Sequence, residues 1–183
     1  MIRKFAVALA EAFQHRRIPR NPHTEGAFER DFATPVATRI VRDYPTVSVF
    51  THPWGNTGCC NPTCATASGT GRVVGCPKCW AGSKEWATVA AFGTKHTFDM
   101  VAKDHSKTLA VEIKLIDATR SKMPNGGIQR FLGQCALAAA THDVVIGLCG
   151  HRGTLNPELQ CHTKAVDRWN KRHNVRLTFR QVT

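Results

Sequence analysis

The chain has 183 residues and carries 25 Lys and Arg against 13 Asp and Glu, a formal net charge of +12. That length suits a single domain, 1–183, with a sizeable core and room for one small appendage. The basic residues run from Arg3 to Arg180 without a low-complexity tail, which points to a folded protein with a polyanionic partner, nucleic acid first and an acidic membrane surface second. No apolar stretch approaches the length that spans a bilayer, so a soluble protein without a membrane partner is expected.

At the start of the chain, "MIRKFAVALAEAFQHRR" has an apolar run, Phe5 to Ala10, that Glu11 stops, and no cleavage-site pattern follows. Ile2, Phe5, Leu9, Ala12 and Phe13 share one side of a helix, which predicts a docking helix over about 2–16. A basic organellar transit peptide is the alternative. Next, "NPHTEGAFERDF" offers Asn21 as N-cap and Pro22 at the first helical position, in a helix that bends or restarts at Thr34 and Pro35. A short strand, "TVSVF", follows.

Eight cysteines without a secretory signal predict an intracellular, reducing compartment, cytoplasm or nucleoid and nucleus, where thiols bind metal or stay buried. Five of them lie in "GCCNPTCATASGTGRVVGCPKCW". Cys60 with Cys64 and Cys76 with Cys79 form two close pairs joined by a flexible loop, a pattern that converges on one tetrahedral Zn²⁺ in an insert of about 55–82. Four thiolates leave no open position, so this zinc is structural, contributing on the order of 10 kcal/mol to folding. Cys59 in place of Cys60, and His52 as an entrant to the shell, stay open. A redox role for "CPKC" lacks a surrounding thioredoxin-like βαβ pattern. Cys135, Cys149 and Cys161 read as core thiols.

Three β-like runs follow, "EWATVAAF", "HTFDMVA" and "TLAVEIKLI", joined by short polar turns. A helix from about Gly127 to Thr141 leads to "DVVIGLCG", an apolar run of the kind a central strand shows. The chain closes with a helix, "NPELQCHTKAVDRWNKRH", and a strand, "VRLTFRQV". Helix, strands, helix and strand in this order imply an α/β fold, a mixed sheet flanked by helices.

The third run holds two charges. Alternation sets Leu109, Val111, Ile113 and Leu115 on one face, expected to be all core, and Ala110, Glu112, Lys114 and Ile116 on the other, expected to be wet. In the run before it, Phe98 and Met100 share a face opposite to that of Asp99. If the turn at "KDHSK" makes the two runs neighbours, Asp99 joins the patch of Glu112. Two carboxylates about 4 Å apart repel by about 4 kcal/mol at an effective dielectric of about 20, and a divalent cation reverses that sign. An ordinary wet face of an antiparallel sheet is the plain alternative.

Asp99 followed by "VEIKL", with Glu112 and Lys114, resembles the PD-(D/E)xK nuclease superfamily, the restriction-endonuclease-like fold. Phe98 stands where the name-giving proline would be. The resemblance implies a core of helix, three antiparallel strands, helix and strand, over about residues 24 to 149. It also implies a phosphodiesterase dependent on Mg²⁺ or Mn²⁺, most readily a deoxyribonuclease cutting internally. Asp99 and Glu112 would hold the ion, and Lys114 would orient or activate the attacking water. Many members add an acid from the first helix, for which Glu29 is favoured over Glu25, and a glutamine near the site, Gln134 or Gln129. Arg130, with Lys164, Arg168, Lys171 and Arg172 of the terminal helix, would contact the nucleic-acid backbone. A nuclease of this size that cuts both strands often needs a dimer, which puts a homodimer or larger complex among the expected partners. The competing reading is a non-catalytic, zinc-containing nucleic-acid-binding module or subunit of a larger complex.

Overall fold

The computed structural model describes residues 1–18, 22–52, 72–74, 80, 81, 83, 87–91, 94–117, 125–153, 171, 172 and 174–182. Cys59, Cys60, Cys64, Cys76, Cys79 and Cys161 lie outside the described residues, as do Lys164 and Arg168.

The first helix, α1 (Ile2–His15), forms where the sequence places it. Its stripe Ile2, Phe5, Leu9 and Phe13 is buried, with Ala6, Ala10 and Ala12 beside it. Its C-terminal carbonyls, which have no partners within the helix, are held from the far end of the chain. The Arg180 guanidinium donates to the carbonyl oxygens of Phe13, Gln14 and Arg16.

The second helical segment begins later than expected. Thr24, rather than Asn21, is the N-cap of α2 (Glu25–Phe28), its Oγ1 accepting from the Ala27 N–H at 3.1 Å, and Pro22 precedes the helix. At Thr34 and Pro35 the helix neither stops nor restarts. A π-helical turn (Glu29–Ala33) widens the ladder, the Thr34 N–H reaching back to the Glu29 carbonyl, and α3 (Thr34–Ile40) continues. The physical cause is Pro35: it has no N–H to donate, and in a regular α-helix its ring would strike the carbonyl four residues back. Phe28, Phe32, Val36 and Ala37 stay on the buried side across this turn.

Among the described residues six strands form one sheet, β1 (Ser48–Thr51), β2 (Arg72–Val74), β5 (Met100–Asp104), β6 (Lys107–Asp117), β7 (Val144–Arg152) and β8 (Val175–Gln181), in the order β2-β1-β5-β6-β7-β8. β1, β5 and β6 are antiparallel neighbours, while β7 runs parallel to β6, β8 parallel to β7, and β2 parallel to β1. The result is a mixed α/β architecture. Arg72–Val74 lies within the stretch expected as an insert, so that stretch contributes an edge strand to the sheet.

One expected strand lies elsewhere. "EWATVAAF" supplies β3 (Thr88–Ala91), which among the described residues pairs only with β4 (Thr94–Thr97) in a separate hairpin, while "TVSVF" takes its place in the antiparallel trio. The run "HTFDMVA" therefore breaks into β4 and β5, with a bend at Phe98 and Asp99. That bend ends the alternation predicted across it: Phe98 packs in one core and Met100 in the other.

Both faces of the sheet are buried. Leu109, Val111 and Ile113 pack under α1 and α3 with Met100 and Phe32. Ala110 and Ile116 pack on the opposite face with Val101 and with Ile128, Phe131, Cys135 and Ala138 of α4 (Asn125–Ala139). The face expected to be wet is thus a second core, because the apolar stripe of α4 needs a surface of its own to cover.

Candidate functional site

Glu112 sits in that second core with 3 % of its surface exposed. Its neighbour on β7 is Gly147, and a Cβ there would stand 2.5 Å from Leu177 Cδ2 and 2.8 Å from both Cys135 Sγ and Phe131 Cζ. The missing side chain lets α4 approach the sheet beside Glu112. On the other side, continuing the β5–β6 register by one residue sets Asp99 opposite Glu112. Asp99 Oδ2 accepts the Ile113 backbone N–H at 2.7 Å, standing in for the strand partner that the bend removes.

The helical segment supplies two further acids. Gly150 on β7 allows Phe28 to press against the sheet, since a Cβ at Gly150 would lie 2.9 Å from the Phe28 ring. That contact seats α2 and the π turn over the end of β6. Glu25 Oε2 then meets Lys114 Nζ at 2.8 Å and the Leu115 N–H at 3.3 Å. Glu29, 3 % exposed, places Oε1 and Oε2 at 3.2 and 3.3 Å from Nδ1 of His52, the residue that follows β1. The His52 ring packs against the Trp80 ring, tilted to it by 53° with ring centres 4.5 Å apart.

Glu29, His52 and Asp99 each offer a ligand atom within 4.8 Å of the other two. Burial, the negative charge of Glu112 and the charges of Glu29 and Glu25 push Asp99 well above the usual carboxylate range, although the Ile113 N–H pulls it down. Burial likewise raises Glu112, against the hydrogen bond and charge of His96. Acids so placed repel one another, and two carboxylates with an imidazole form a donor set that suits a divalent cation. Gln134 Oε1, beside this group, is buried without a hydrogen-bond partner among the described residues, an acceptor left open for a donor.

A chain of polar contacts joins α4 to β6 through the hairpin. His96 of β4 places Nε2 3.0 Å from Glu112 Oε2, and its Nδ1 lies 3.3 Å from Nε2 of Gln134. The ring thereby links the Glu112 carboxyl to the Gln134 amide.

The structure therefore brings together Asp99, Glu112, Lys114, Glu29 and Gln134. Glu29 enters the three-residue cluster while Glu25 pairs with Lys114. Gln134 is half-buried at the site, whereas Gln129 and Arg130 are exposed on α4. Lys171 and Arg172 are exposed. Two features are not legible in the sequence: His96 at the site, and the pairing of His52 with the acid Glu29. Their only sequence signal is position, one directly after a strand and the other three residues before Asp99. No helix among the described residues is long and apolar enough to cross a membrane. Comparison with family models, with curated proteins and with solved structures finds no match.

Proposed function

We propose that the protein is a metal-dependent nuclease of restriction-endonuclease-like fold, acting on DNA from an intracellular, reducing compartment. The observation that carries this reading is the convergence of Asp99, Glu112 and Glu29 with Lys114 at one end of a mixed sheet. The order of elements supports it. Helix, antiparallel β1, β5 and β6, helix α4 and parallel β7 come in the chain order expected of that nuclease core, with β2 and the β3–β4 hairpin lying between β1 and β5.

Asp99, Glu112 and Glu29 would hold the catalytic ion, Mg²⁺ or Mn²⁺. When bound, it supplies Lewis-acid polarisation of the phosphate and a more acidic water. Lys114, half-buried and paired with Glu25, would orient the attacking water and offset charge growing on the phosphoryl group. Gln134 offers an unsatisfied Oε1 to the same water or phosphate. Arg130, Lys164, Arg168, Lys171 and Arg172 would grip the backbone, and the four-cysteine insert would hold Zn²⁺ through Cys60, Cys64, Cys76 and Cys79. A second copy of the chain would supply the cut on the other strand.

Digestion of plasmid and oligonucleotide DNA and RNA with Mg²⁺ or Mn²⁺ tests the proposal. Wild type is expected to cleave, and Asp99→Ala, Glu112→Ala and Lys114→Ala each to lose on the order of 100-fold or more in rate. Binding of nucleic acid without cleavage by the wild type would favour a non-catalytic module. Cleavage that survives all three substitutions would remove these residues from the active site.

A further inference from the structure

We infer that His52 is a ligand of the ion at this site, so that the site selects Mn²⁺ over Mg²⁺. This deepens the nuclease reading and rests on it for what the ion does.

Nδ1 of His52 faces both carboxylate oxygens of Glu29, at 3.2 and 3.3 Å. Two ligands at right angles around an ion with bonds of about 2.1 Å lie about 3.0 Å apart, so this separation is already that of neighbouring ligands. Asp99 completes the group, with all three ligand atoms within 4.8 Å of one another. The ring is held for the purpose: it follows the last residue of β1 and rests on the buried Trp80 at 4.5 Å between ring centres. Two carboxylates and a ring nitrogen set this close together attract positive charge.

Donor type then decides which ion. Mg²⁺ is a hard cation that demands oxygen ligands in near-ideal octahedral geometry and gives up its waters reluctantly. Imidazole nitrogen binds first-row transition metals better than it binds Mg²⁺, with Mn²⁺ the weakest binder of that series, and carboxylate suits Mn²⁺ as well as Mg²⁺. Of the two ions that the nuclease reading names, Mn²⁺ is therefore the one that gains from a ring nitrogen beside two carboxylates.

The test is electron spin echo envelope modulation of the full-length protein loaded with one equivalent of Mn²⁺, produced once unlabelled and once with ¹⁵N-histidine. The unlabelled protein is expected to show the modulation of a directly coordinated imidazole nitrogen, the labelled protein the ¹⁵N pattern in its place, and His52→Gln neither. By calorimetry, His52→Gln is expected to weaken Mn²⁺ binding by about tenfold or more while Mg²⁺ binding changes by less than about threefold. Circular dichroism checks the fold, with His52→Asn as the second substitution should the first not fold. Absence of a coordinated nitrogen in the wild type, its persistence in the variant, or equal loss of both ions would overturn the inference. Nitrogen-coordinated Mn²⁺ without cleavage of DNA or RNA would support it while ending the nuclease reading.

Discussion

His96 bridges Glu112 and Gln134, its Nε2 lying 3.0 Å from the Glu112 carboxylate and its Nδ1 3.3 Å from the Gln134 amide. A hairpin, a central strand and a helix are tied together by one ring. The bond to His96 is what holds the Glu112 carboxyl down against the burial that raises it. Without it the carboxyl rises further, and less of the ionised form is present at a given pH. His96→Ala is therefore expected to slow cleavage by about 10- to 100-fold and to move the acidic limb of its pH–rate profile upward. An unmoved limb would mean that His96 does not set the ionisation of Glu112.

Asp99 carries a cost in the metal-free protein. Its folded pKa lies above its unfolded one, so the native state binds more protons between the two values. Stability falls as pH rises through that window and returns on acidification, the sign opposite to that of a salt-bridged acid. Asp99→Asn keeps an oxygen for the Ile113 N–H. It is expected to stabilise the metal-free protein at neutral pH by about 1 kcal/mol or more, and to lose the stabilisation that added Mn²⁺ gives the wild type. Thermal melts with and without the ion check both halves, and a lower metal-free Tm would contradict the first.

Two glycines near the site should respond with opposite signs to the same substitution. At Gly147 a Cβ would meet Leu177, Cys135 and Phe131 at 2.5 to 2.8 Å, so Gly147→Ala must push α4 off the sheet, at a cost of about 1–3 kcal/mol and with reduced cleavage. At Gly133, in the middle of α4, nothing lies within 4 Å. Gly133→Ala is expected to stabilise by about 0.5–1 kcal/mol through helix propensity alone. Urea denaturation of the pair measures both.

The paired cysteines predict one Zn²⁺ per chain that survives dialysis. Cys76→Ser is expected to release it and to lower Tm, whereas Cys135→Ser, altering a buried thiol outside the paired cysteines, should keep it. Elemental analysis of the purified proteins decides. A folded wild type without zinc would reject the four-thiolate site.

Local rules made much of this protein readable in advance. The stripe Ile2, Phe5, Leu9 and Phe13 predicts α1, the β-like run "TLAVEIKLI" predicts β6 and the continuous apolar run "DVVIGLCG" predicts β7, because burial of a face imposes its period on the residues that fill it. Asp99, Glu112 and Lys114 were legible for a similar reason: charges in an apolar strand need an explanation that alternation narrows to one face. What stayed hidden depends on contacts remote in sequence. Whether "EWATVAAF" or "TVSVF" joins the sheet is a choice between two strands of similar character, settled by which one β5 pairs with. The burial of Glu112 depended on α4, and α4 on Gly147, a residue whose importance is an absent side chain.

The α/β class, the helical and strand periods and the three charged residues of the candidate site follow from local pattern. That His52 meets Glu29 across 23 residues, and that His96 meets Glu112 across 16 and Gln134 across 38, follows from how the elements pack together. Periodicity says which way a side chain points along its own element. It carries no information about which distant element will stand opposite, and the polar contacts of this site are made between elements.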